Sequence, residues 1–205
     1  MSDEVLVDVT DGIMTVTLNR PKAKNAANRA VAVGVAAAMD ELDSNDSIHV
    51  AIITGAGGTF CAGMDLKAFV SGEMPMVEGR GFAGLTEAPP RKPLIGAIEG
   101  YALAGGLELA ISCDLIVTAD DAKFGIPEVK RGLAAAAGGL IKLPRQIPSR
   151  LAMELAIVGD FITAQRAYEI GLVNQVVPSG TALEAAKALA AKIVANGPLA
   201  VAISK

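Results

Sequence analysis

Short, wholly apolar segments alternate along this chain with alanine-rich segments of helical character, and this alternation constrains the fold more than any other feature. Strands that are apolar throughout are typical of a sheet that helices cover on at least one face. The predicted strands are residues 5–7, 13–18, 50–54, 94–98, 115–118 and 172–177. The predicted helices are residues 28–42, 105–112 and 181–195, with further helix after Pro144 that includes a segment between Thr163 and Gly171. The predicted fold class is therefore α/β.

Local signals define where several of these elements begin and end. Asp11-Gly12, between the first two predicted strands, is a strong signal for a two-residue hairpin turn. Asn28 is a good N-cap for the helix that follows it, and Thr163 has the same role later in the chain. Residues 71–92 combine Gly, Pro and charges, which predicts a mobile surface segment. No stretch has the composition of a domain linker, so we expect a single domain.

The composition excludes several classes of function. The 205 residues are 3% aromatic and carry a net charge of −4, so the chain lacks the stacking side chains and the basic surface of a nucleic-acid-binding protein. Two cysteines and one histidine cannot form a disulfide framework or a two-histidine metal site, although carboxylates could still bind a hard cation. The acidic N-terminus has no signal-peptide pattern, and every apolar run is interrupted before it could span a bilayer. We expect a cytoplasmic protein with no metal, membrane or nucleic-acid partner.

A single acidic residue stands within an apolar segment near the centre of the chain. Glu108 is the only charged residue in residues 100–111, a stretch that otherwise has the composition of a protein core. Burying an unpaired carboxylate is costly and raises its pKa, so such a group is usually neutralised by a partner or kept for a chemical task. The pattern is equally compatible with a helix residue that faces water, and both interpretations stay open at this point.

Two glycine-rich bends precede predicted helices and could present unpaired backbone N–H groups. Gly105-Gly106 opens the helix that contains Glu108, which lies three residues after Gly105 and so on the same face. Free amides with no Cβ in the way suit an anion or a developing oxyanion, although a glycine pair can equally serve close packing. The second bend, residues 59–66, lacks the Lys-Ser/Thr ending of a Walker loop and is weak evidence alone.

A second acidic residue follows a proline at the end of a short extended segment. Residues 124–129 place Glu128 directly after Pro127, a position from which loop side chains project into sites. A solvated loop carboxylate is nevertheless the commoner explanation for such a residue, and these residues alone favour it.

In their order along the chain, these segments resemble the enoyl-CoA hydratase/isomerase (crotonase) family. The resemblance covers nearly the whole chain. Each matching segment is short, but so many of them in the family's order make the resemblance specific. The matching segments are residues 18–21 with 25–26, 60–66, 100–110, 113–114, 124–128 and 138–139.

The resemblance implies a crotonase-like α/β fold, in which repeated ββα units form a spiral of sheets surrounded by helices. It implies a single domain over residues 1–205, with a core to about residue 195 and the start of a C-terminal helical region at residues 196–205. Family members normally continue with helices that cover the acyl pocket and contact neighbouring subunits, so this region is expected to be truncated or missing here. The family also implies a homotrimer or a dimer of trimers.

The resemblance further implies an acyl-CoA thioester as the substrate, with coenzyme A as part of the substrate and no separate cofactor. In the family, two backbone N–H groups hold the thioester oxygen, and the matching amides here belong to Met64 and Gly105. Hydratases of the family need two glutamates, which match Glu108 and Glu128. The implied activity is that of a lyase in fatty-acid metabolism, which adds water reversibly to a trans-2-enoyl-CoA and gives a 3-hydroxyacyl-CoA. Glu108 would be the base toward water, and Glu128 the proton donor to C2.

For coenzyme A itself, the matching residues lie after the first strands and near the second bend. They are Lys22, Ala23, Asn25, Ala62, Asp65 and Leu66. The implied contacts are backbone hydrogen bonds to the adenine and the pantetheine, with Lys22 or Lys24 near a phosphate. For at least one of these two lysines, a solvated surface position is the alternative.

One departure from the family concerns the pocket wall, where four alanines, residues 134–137, stand in place of a frequent Pro-Gly turn. Two other functions remain compatible with the resemblance. One is an acyl-CoA isomerase or dehydratase of different specificity, and the other is a non-catalytic acyl-CoA-binding protein. Relatives that isomerise often hold only one or neither glutamate, so the presence of both favours hydration.

Overall fold

The computed structural model describes residues 3–205, so Met1 and Ser2, the start of the acidic N-terminus, lie outside the described residues. The strands are β1 (Val5–Thr10), β2 (Ile13–Leu18), β3 (Val50–Gly55), β4 (Met76–Val77), β5 (Gly81–Phe82), β6 (Leu94–Ile98), β7 (Tyr101–Leu103), β8 (Leu115–Ala119), β9 (Lys123–Gly125), β10 (Ile162–Thr163) and β11 (Gln175–Val177). The helices are α1 (Arg29–Ser44), α2 (Leu66–Val70), α3 (Gly105–Ala110), α4 (Gly139–Gln146), α5 (Ser149–Val158), α6 (Ala164–Glu169), α7 (Ala182–Val194) and α8 (Pro198–Ser204). Short 3₁₀ helices occupy Pro21–Ala23, Ala56–Gly58 and Pro127–Arg131.

The largest sheet has six strands in the order β1-β2-β3-β6-β8-β11. β1 and β2 form an antiparallel hairpin, and the other neighbouring pairs are parallel. Alternate residues of β3 face two different apolar clusters: Val50 and Ile52 pack beneath α7, whereas Ala51 and Ile53 belong to the main core with α1 and α3. Burial on both faces explains why these strands are apolar throughout.

A smaller sheet has the order β10-β9-β7, and two of its strands directly follow strands of the larger sheet along the chain. β6 is followed by β7 and α3, and β8 is followed by β9 and the 3₁₀ helix Pro127–Arg131. β7 and β9 are parallel neighbours, with Leu103 opposite Gly125. The helices that follow these strands therefore begin side by side, at the carboxyl ends of two adjacent parallel strands.

Several local sequence signals have the predicted effect. Asp11 and Gly12 adopt φ angles of 52° and 76°, the left-handed pair that a type I′ hairpin turn requires. The side chains of Asn28 and Thr163 each accept a hydrogen bond from the backbone N–H three residues later, at 3.0 Å and 3.1 Å, as expected for N-caps. The bounds predicted for β2 and β6 agree with the structure.

The strand predicted at residues 5–7 continues to Thr10, and two further elements differ from their predictions. The strand predicted at residues 172–177 is reduced to β11, because Leu172 and Val173 pack in the main core instead of pairing in the sheet. Helix α4 begins at Gly139, so Pro144 lies inside a helix instead of preceding one. Proline removes one backbone donor there, and the helix ends two residues later at Gln146.

The prediction of a surface segment at residues 71–92 is wrong for its middle part. Residues 81–86 are buried, and Phe82 and Leu85 belong to the main core. The Phe82 ring lies over the bare Cα of Gly105, where an added Cβ would meet it at 2.5 Å. This segment therefore packs against the amino end of α3.

Helix α3 lies directly on the chain segment at Cys61. The Cys61 N–H donates to Tyr101 O at 2.9 Å, and Leu103 N–H donates to Cys61 O at 3.1 Å. A Cβ added to Gly106 would lie 2.0 Å from the carbonyl oxygen of Cys61. Because that neighbour is backbone and cannot rotate away, the close approach requires glycine.

Among residues 3–205, no single helix is long and apolar enough to cross a membrane. Helices α7 and α8 reach that length and composition only as a pair, bent by 109°. In α7, Ala186 and Ala190 have no exposed surface because they pack on the large sheet.

We expect Gly106→Ala to destabilise the protein by about 1–3 kcal/mol, because the new methyl group must displace the Cys61 backbone. Gly197→Ala is the matched control, since a Cβ there meets no atom within 4 Å, and it should change stability by less than about 0.5 kcal/mol. Urea unfolding measures both. Equal stability of the two variants would contradict the close packing of α3.

Candidate active site

Three parallel chain segments bring the predicted chemical groups together. β7 lies between β9 on one side and Cys61 on the other, where Cys61 forms a parallel bridge with Ala102. Past their carboxyl ends these segments lead to Met64, to Gly105 and to the 3₁₀ helix that begins at Pro127. Residues that are distant in the sequence thus meet beyond the carboxyl ends of these strands, where parallel sheets commonly bind ligands.

Glu108 lies in α3 and is buried, with 3% of its surface exposed. Its Oε1 accepts a hydrogen bond of 2.9 Å from the backbone N–H of Gly139, the first residue of α4. Burial raises the pKa of Glu108 to about 7, since the Gly139 N–H offsets only part of this effect and the negative charge of Glu128 adds to it. The possibility that Glu108 faces water is therefore wrong, and the carboxyl group can titrate near neutral pH.

Glu128 is in the first turn of the 3₁₀ helix, directly after Pro127. Its Oε2 is buried, without a hydrogen-bond partner among the described residues. Burial raises the pKa of Glu128 as well. The preference for a solvated loop carboxylate, which residues 124–129 alone favoured, is thus wrong: this carboxyl group is half-buried with one oxygen directed into the protein.

An apolar cavity of about 450 Å³ adjoins the carboxyl group of Glu128. Glu128 and Gly139 both line it, and the Gly139 amide is the partner of Glu108. The other lining residues are Ile126, Val129, Leu133, Ala134, Ala135, Leu140, Leu143, Pro144, Ser149, Ala152, Met153, Ala156 and Ile157. Of the four alanines at residues 134–137, Ala134 and Ala135 therefore contribute to the wall of this cavity.

Two backbone amides past the carboxyl ends of these segments, those of Met64 and Gly105, have no protein acceptor among residues 3–205. Ala27 and Met64 form a parallel bridge, in which Ala27 N–H donates to Gly63 O and Asp65 N–H donates to Ala27 O. The N–H of Met64 itself therefore points away from Ala27. The Gly105 N–H is free because it belongs to the first residue of α3. The two amides are near each other, since a Cβ on Gly63 would lie 3.3 Å from Gly105 N.

The residue before Gly105 adopts a strained backbone conformation. Ala104 has φ 53° and ψ −128°, a conformation that residues with a side chain rarely adopt and that costs about 1–3 kcal/mol. Hydrogen bonds hold it there: Ala104 N–H donates to Gly125 O at 2.8 Å, and Ala104 O accepts from Leu107 and Glu108 N–H. This turn directs the chain from β7 into α3, and no feature of the sequence indicated it.

The residues predicted to contact coenzyme A form two adjacent segments beside the amides. Ala62 N–H donates to Lys24 O at 3.0 Å, which joins the segment of Lys22 and Ala23 to the second bend. Lys22 and Leu66 are exposed, and the ammonium of Lys24 lies 5.3 Å from the ring centre of Tyr101.

Two residues of this predicted set have side chains that are already engaged within the protein. Asn25 has no exposed surface, and its amide donates to Ala56 O and Thr59 O while its oxygen accepts from Arg20 N–H. The Asp65 carboxylate caps α2 and pairs with the Arg20 guanidinium at 2.8 Å. Although burial alone would raise the pKa of Asp65, the Arg20 hydrogen bond and charge help to lower it. These side chains therefore shape the segment, and Arg20 is a structural residue that the predicted set did not include.

Comparison with known proteins identifies the family of the chain. The family model described as enoyl-CoA hydratase/isomerase matches residues 8–205. An enoyl-CoA hydratase of Mycobacterium tuberculosis is 43% identical over 97% of this chain and 77% of its own length. A carnitinyl-CoA dehydratase of Salmonella arizonae is 40% identical over all of this chain and 80% of its own length.

Solved structures show the same similarity. The crystal structure of an enoyl-CoA hydratase from Mycobacterium marinum superposes with a TM-score of 0.97 at 60% sequence identity, covering 99% of this chain and 80% of that one. The predicted crotonase-like fold is thereby confirmed. The chain belongs to the enoyl-CoA hydratase/isomerase family.

Proposed function

We propose that this chain is an enoyl-CoA hydratase, which adds water reversibly to a trans-2-enoyl-CoA and forms a 3-hydroxyacyl-CoA. Its relatives support the broader statement that it is a lyase-type enzyme of the crotonase family. The observation that carries the narrower proposal is a pair of carboxyl groups with raised pKa values, one of which lines an apolar cavity, together with two backbone amides that have no acceptor among the described residues.

The amides of Met64 and Gly105 supply the electrophilic half of the site. A thioester oxygen that accepts hydrogen bonds from both would be polarised, and both bonds would strengthen as the oxygen becomes enolate-like during addition of water. The donors are preorganised, because the Ala27 bridge holds Met64 and the strained turn at Ala104 holds Gly105. Loss of one such donor typically lowers the rate about a hundred- to a thousandfold.

The two glutamates supply the proton transfers. Because each carboxylate is desolvated and the negative charge of Glu128 adds to the rise in the pKa of Glu108, the doubly ionised pair is disfavoured. In the hydration direction, Glu108 removes a proton from the attacking water as the oxygen bonds to C3, and Glu128 delivers a proton to C2. The pair begins with the proton on Glu128 and ends with it on Glu108, so the protons balance.

The remaining parts of the proposal concern the rest of the substrate and the assembly. We assign to Lys22, Ala23 and Ala62 backbone contacts with the coenzyme A part of the substrate, and the proposed reaction requires no separate cofactor. We also propose a cytoplasmic homotrimer or dimer of trimers. Exposed apolar side chains on α4 and α5 outside the cavity, including Ile141 and Val158, support burial of this surface in an assembly.

A dehydratase specific for a carnitinyl-CoA is the second candidate, because relatives of this chain bear that name. Dehydration of a 3-hydroxyacyl-CoA is the reverse of the same reaction, so the two candidates differ in the acyl group. A quaternary ammonium is usually recognised by aromatic faces. None of the described residues that line the cavity beside Glu128 is aromatic, and most are aliphatic, which favours an uncharged acyl chain.

We expect kcat/KM to be higher for uncharged trans-2-enoyl-CoA substrates than for a trimethylammonium-bearing analogue of equal chain length. Burial of each further methylene in the cavity should raise kcat/KM about fourfold until the cavity is filled. Hydration rates measured over a chain-length series, with the charged analogue alongside, test this. A preference for the charged analogue would favour the second candidate.

We expect Glu108→Gln and Glu128→Gln each to lower kcat about a hundred- to ten-thousandfold, because each removes a proton-transfer group, while coenzyme A binding is retained. Glu184→Gln, on the exposed surface of α7, is the matched control and should keep full activity. Turnover is measured as hydration of a trans-2-enoyl-CoA, and binding by calorimetry.

The other outcomes distinguish the remaining alternatives. Binding without turnover in the unaltered protein would support a non-catalytic acyl-CoA-binding protein. Isomerisation of a 3-enoyl-CoA without detectable hydration would support an isomerase instead.

A further inference from the structure

Lys142 in α4 makes polar contacts that the proposed reaction does not use. Its half-buried ammonium donates to the backbone oxygen of Thr86 at 2.7 Å and to Ser112 Oγ at 2.6 Å. Ser112 Oγ in turn donates to the backbone oxygen of Glu108 at 2.7 Å. A chain of two hydrogen bonds therefore leads from Lys142 to the backbone of Glu108.

These contacts join three segments that each carry part of the site. Thr86 ends the buried segment that packs Phe82 on Gly105, Ser112 follows α3, and Lys142 is three residues after Gly139 in α4. The buried positions of Thr86 and Ser112, 3% and 6% exposed, leave little freedom for either acceptor. The ammonium therefore links three backbone segments that are distant in the sequence, and it helps to fix their relative positions.

We propose that Lys142 is a positioning residue, which holds the amino end of α4 against α3 so that the Gly139 amide stays on the Glu108 carboxylate. This role rests on the proposed function only in that Glu108 is the base. The aliphatic part of Lys142 supports the same arrangement, because its Cε would lie 3.3 Å from a Cβ on Gly138.

The positive charge of Lys142 lowers the pKa of Glu108, and so does the Gly139 hydrogen bond that Lys142 is proposed to hold in place. Among the described residues, the charged groups that act on Glu108 are Glu128, whose charge raises the pKa of Glu108, and Lys142, whose charge lowers it. The Cys113 thiol is the other titratable group that acts on Lys142. Loss of Lys142 would remove both the favourable charge and the restraint on the Gly139 amide, and both losses raise the pKa of Glu108.

The test measures the Glu108 carboxyl directly by ¹³C NMR titration of protein labelled at glutamate, with Glu108→Gln to assign the resonance. Starting from about 7, the pKa of Glu108 should rise by about one unit in Lys142→Met and stay near its original value in Lys142→Arg. Gln146→Leu is the matched control, because it removes a neighbouring α4–α3 hydrogen bond, to Ile111 O, without a change of charge. It should leave the pKa of Glu108 unchanged.

A purely structural lysine would give a different result. Lys142→Met would then lower thermal stability and leave the Glu108 titration unchanged, which would overturn the proposal. Should Lys142→Met fail to fold, Lys142→Gln replaces it, since glutamine is uncharged and its side chain is too short to reach both Thr86 O and Ser112 Oγ. Equal pKa values of Glu108 in Lys142→Gln and Lys142→Arg would overturn the proposal as well.

Kinetics provide the second readout. In Lys142→Met the acid limb of the kcat/KM profile should move to higher pH, so that the rate is about fivefold lower at pH 7 and the loss becomes smaller as the pH rises along that limb. A pH-independent loss of rate would contradict the positioning role. Because the NMR titration needs no substrate, a chain that proves inactive as a hydratase would refute the proposed function, and the titration would still test the role of Lys142.

Discussion

The site depends on the parallel pairing of three short chain segments, at Cys61, in β7 and in β9. Each segment contributes few hydrogen bonds, yet parallel pairing brings their carboxyl ends side by side. The residues that follow these ends are Met64, Gly105 and, in the 3₁₀ helix, Glu128. The bare Cα of Gly106 allows α3 to approach the Cys61 backbone closely enough for this pairing. The large sheet and its covering helices hold the small sheet in place, so the core of the protein fixes the positions of the few backbone atoms that form the site.

Burial gives the side chains of this site their reactivity. A carboxyl group in water would be ionised at neutral pH, whereas Glu108 and Glu128 are desolvated by the surrounding apolar residues and have raised pKa values. The protein compensates Glu108 with the Gly139 amide and leaves one oxygen of Glu128 without a partner among residues 3–205. The backbone of Ala104 also costs free energy, because it is strained, and this conformation fixes the direction of the Gly105 amide that follows it.

Much of the fold could be predicted from the sequence, because the strands of the large sheet are apolar throughout and their limits carry turn or cap residues such as Asp11 and Asn28. β7 and β10 were not predicted, and β9 only as a short extended segment, since strands of two or three residues are too short to show a period. Glu108 was recognisable from its isolation among apolar residues, whereas Glu128 required the family resemblance. The contacts of Lys142 had no signal, because its partners lie 56 and 30 residues away.

The most direct test of the proposed site is a crystal structure with a saturated acyl-CoA, which has no double bond to hydrate and so stays intact in the site. We expect a thioester oxygen about 2.7–3.1 Å from both the Met64 and the Gly105 nitrogen atoms, and an ordered water bound by Glu108 and Glu128 near C3. A thioester oxygen bound elsewhere, or either carboxyl group turned away from that water, would contradict the proposed site.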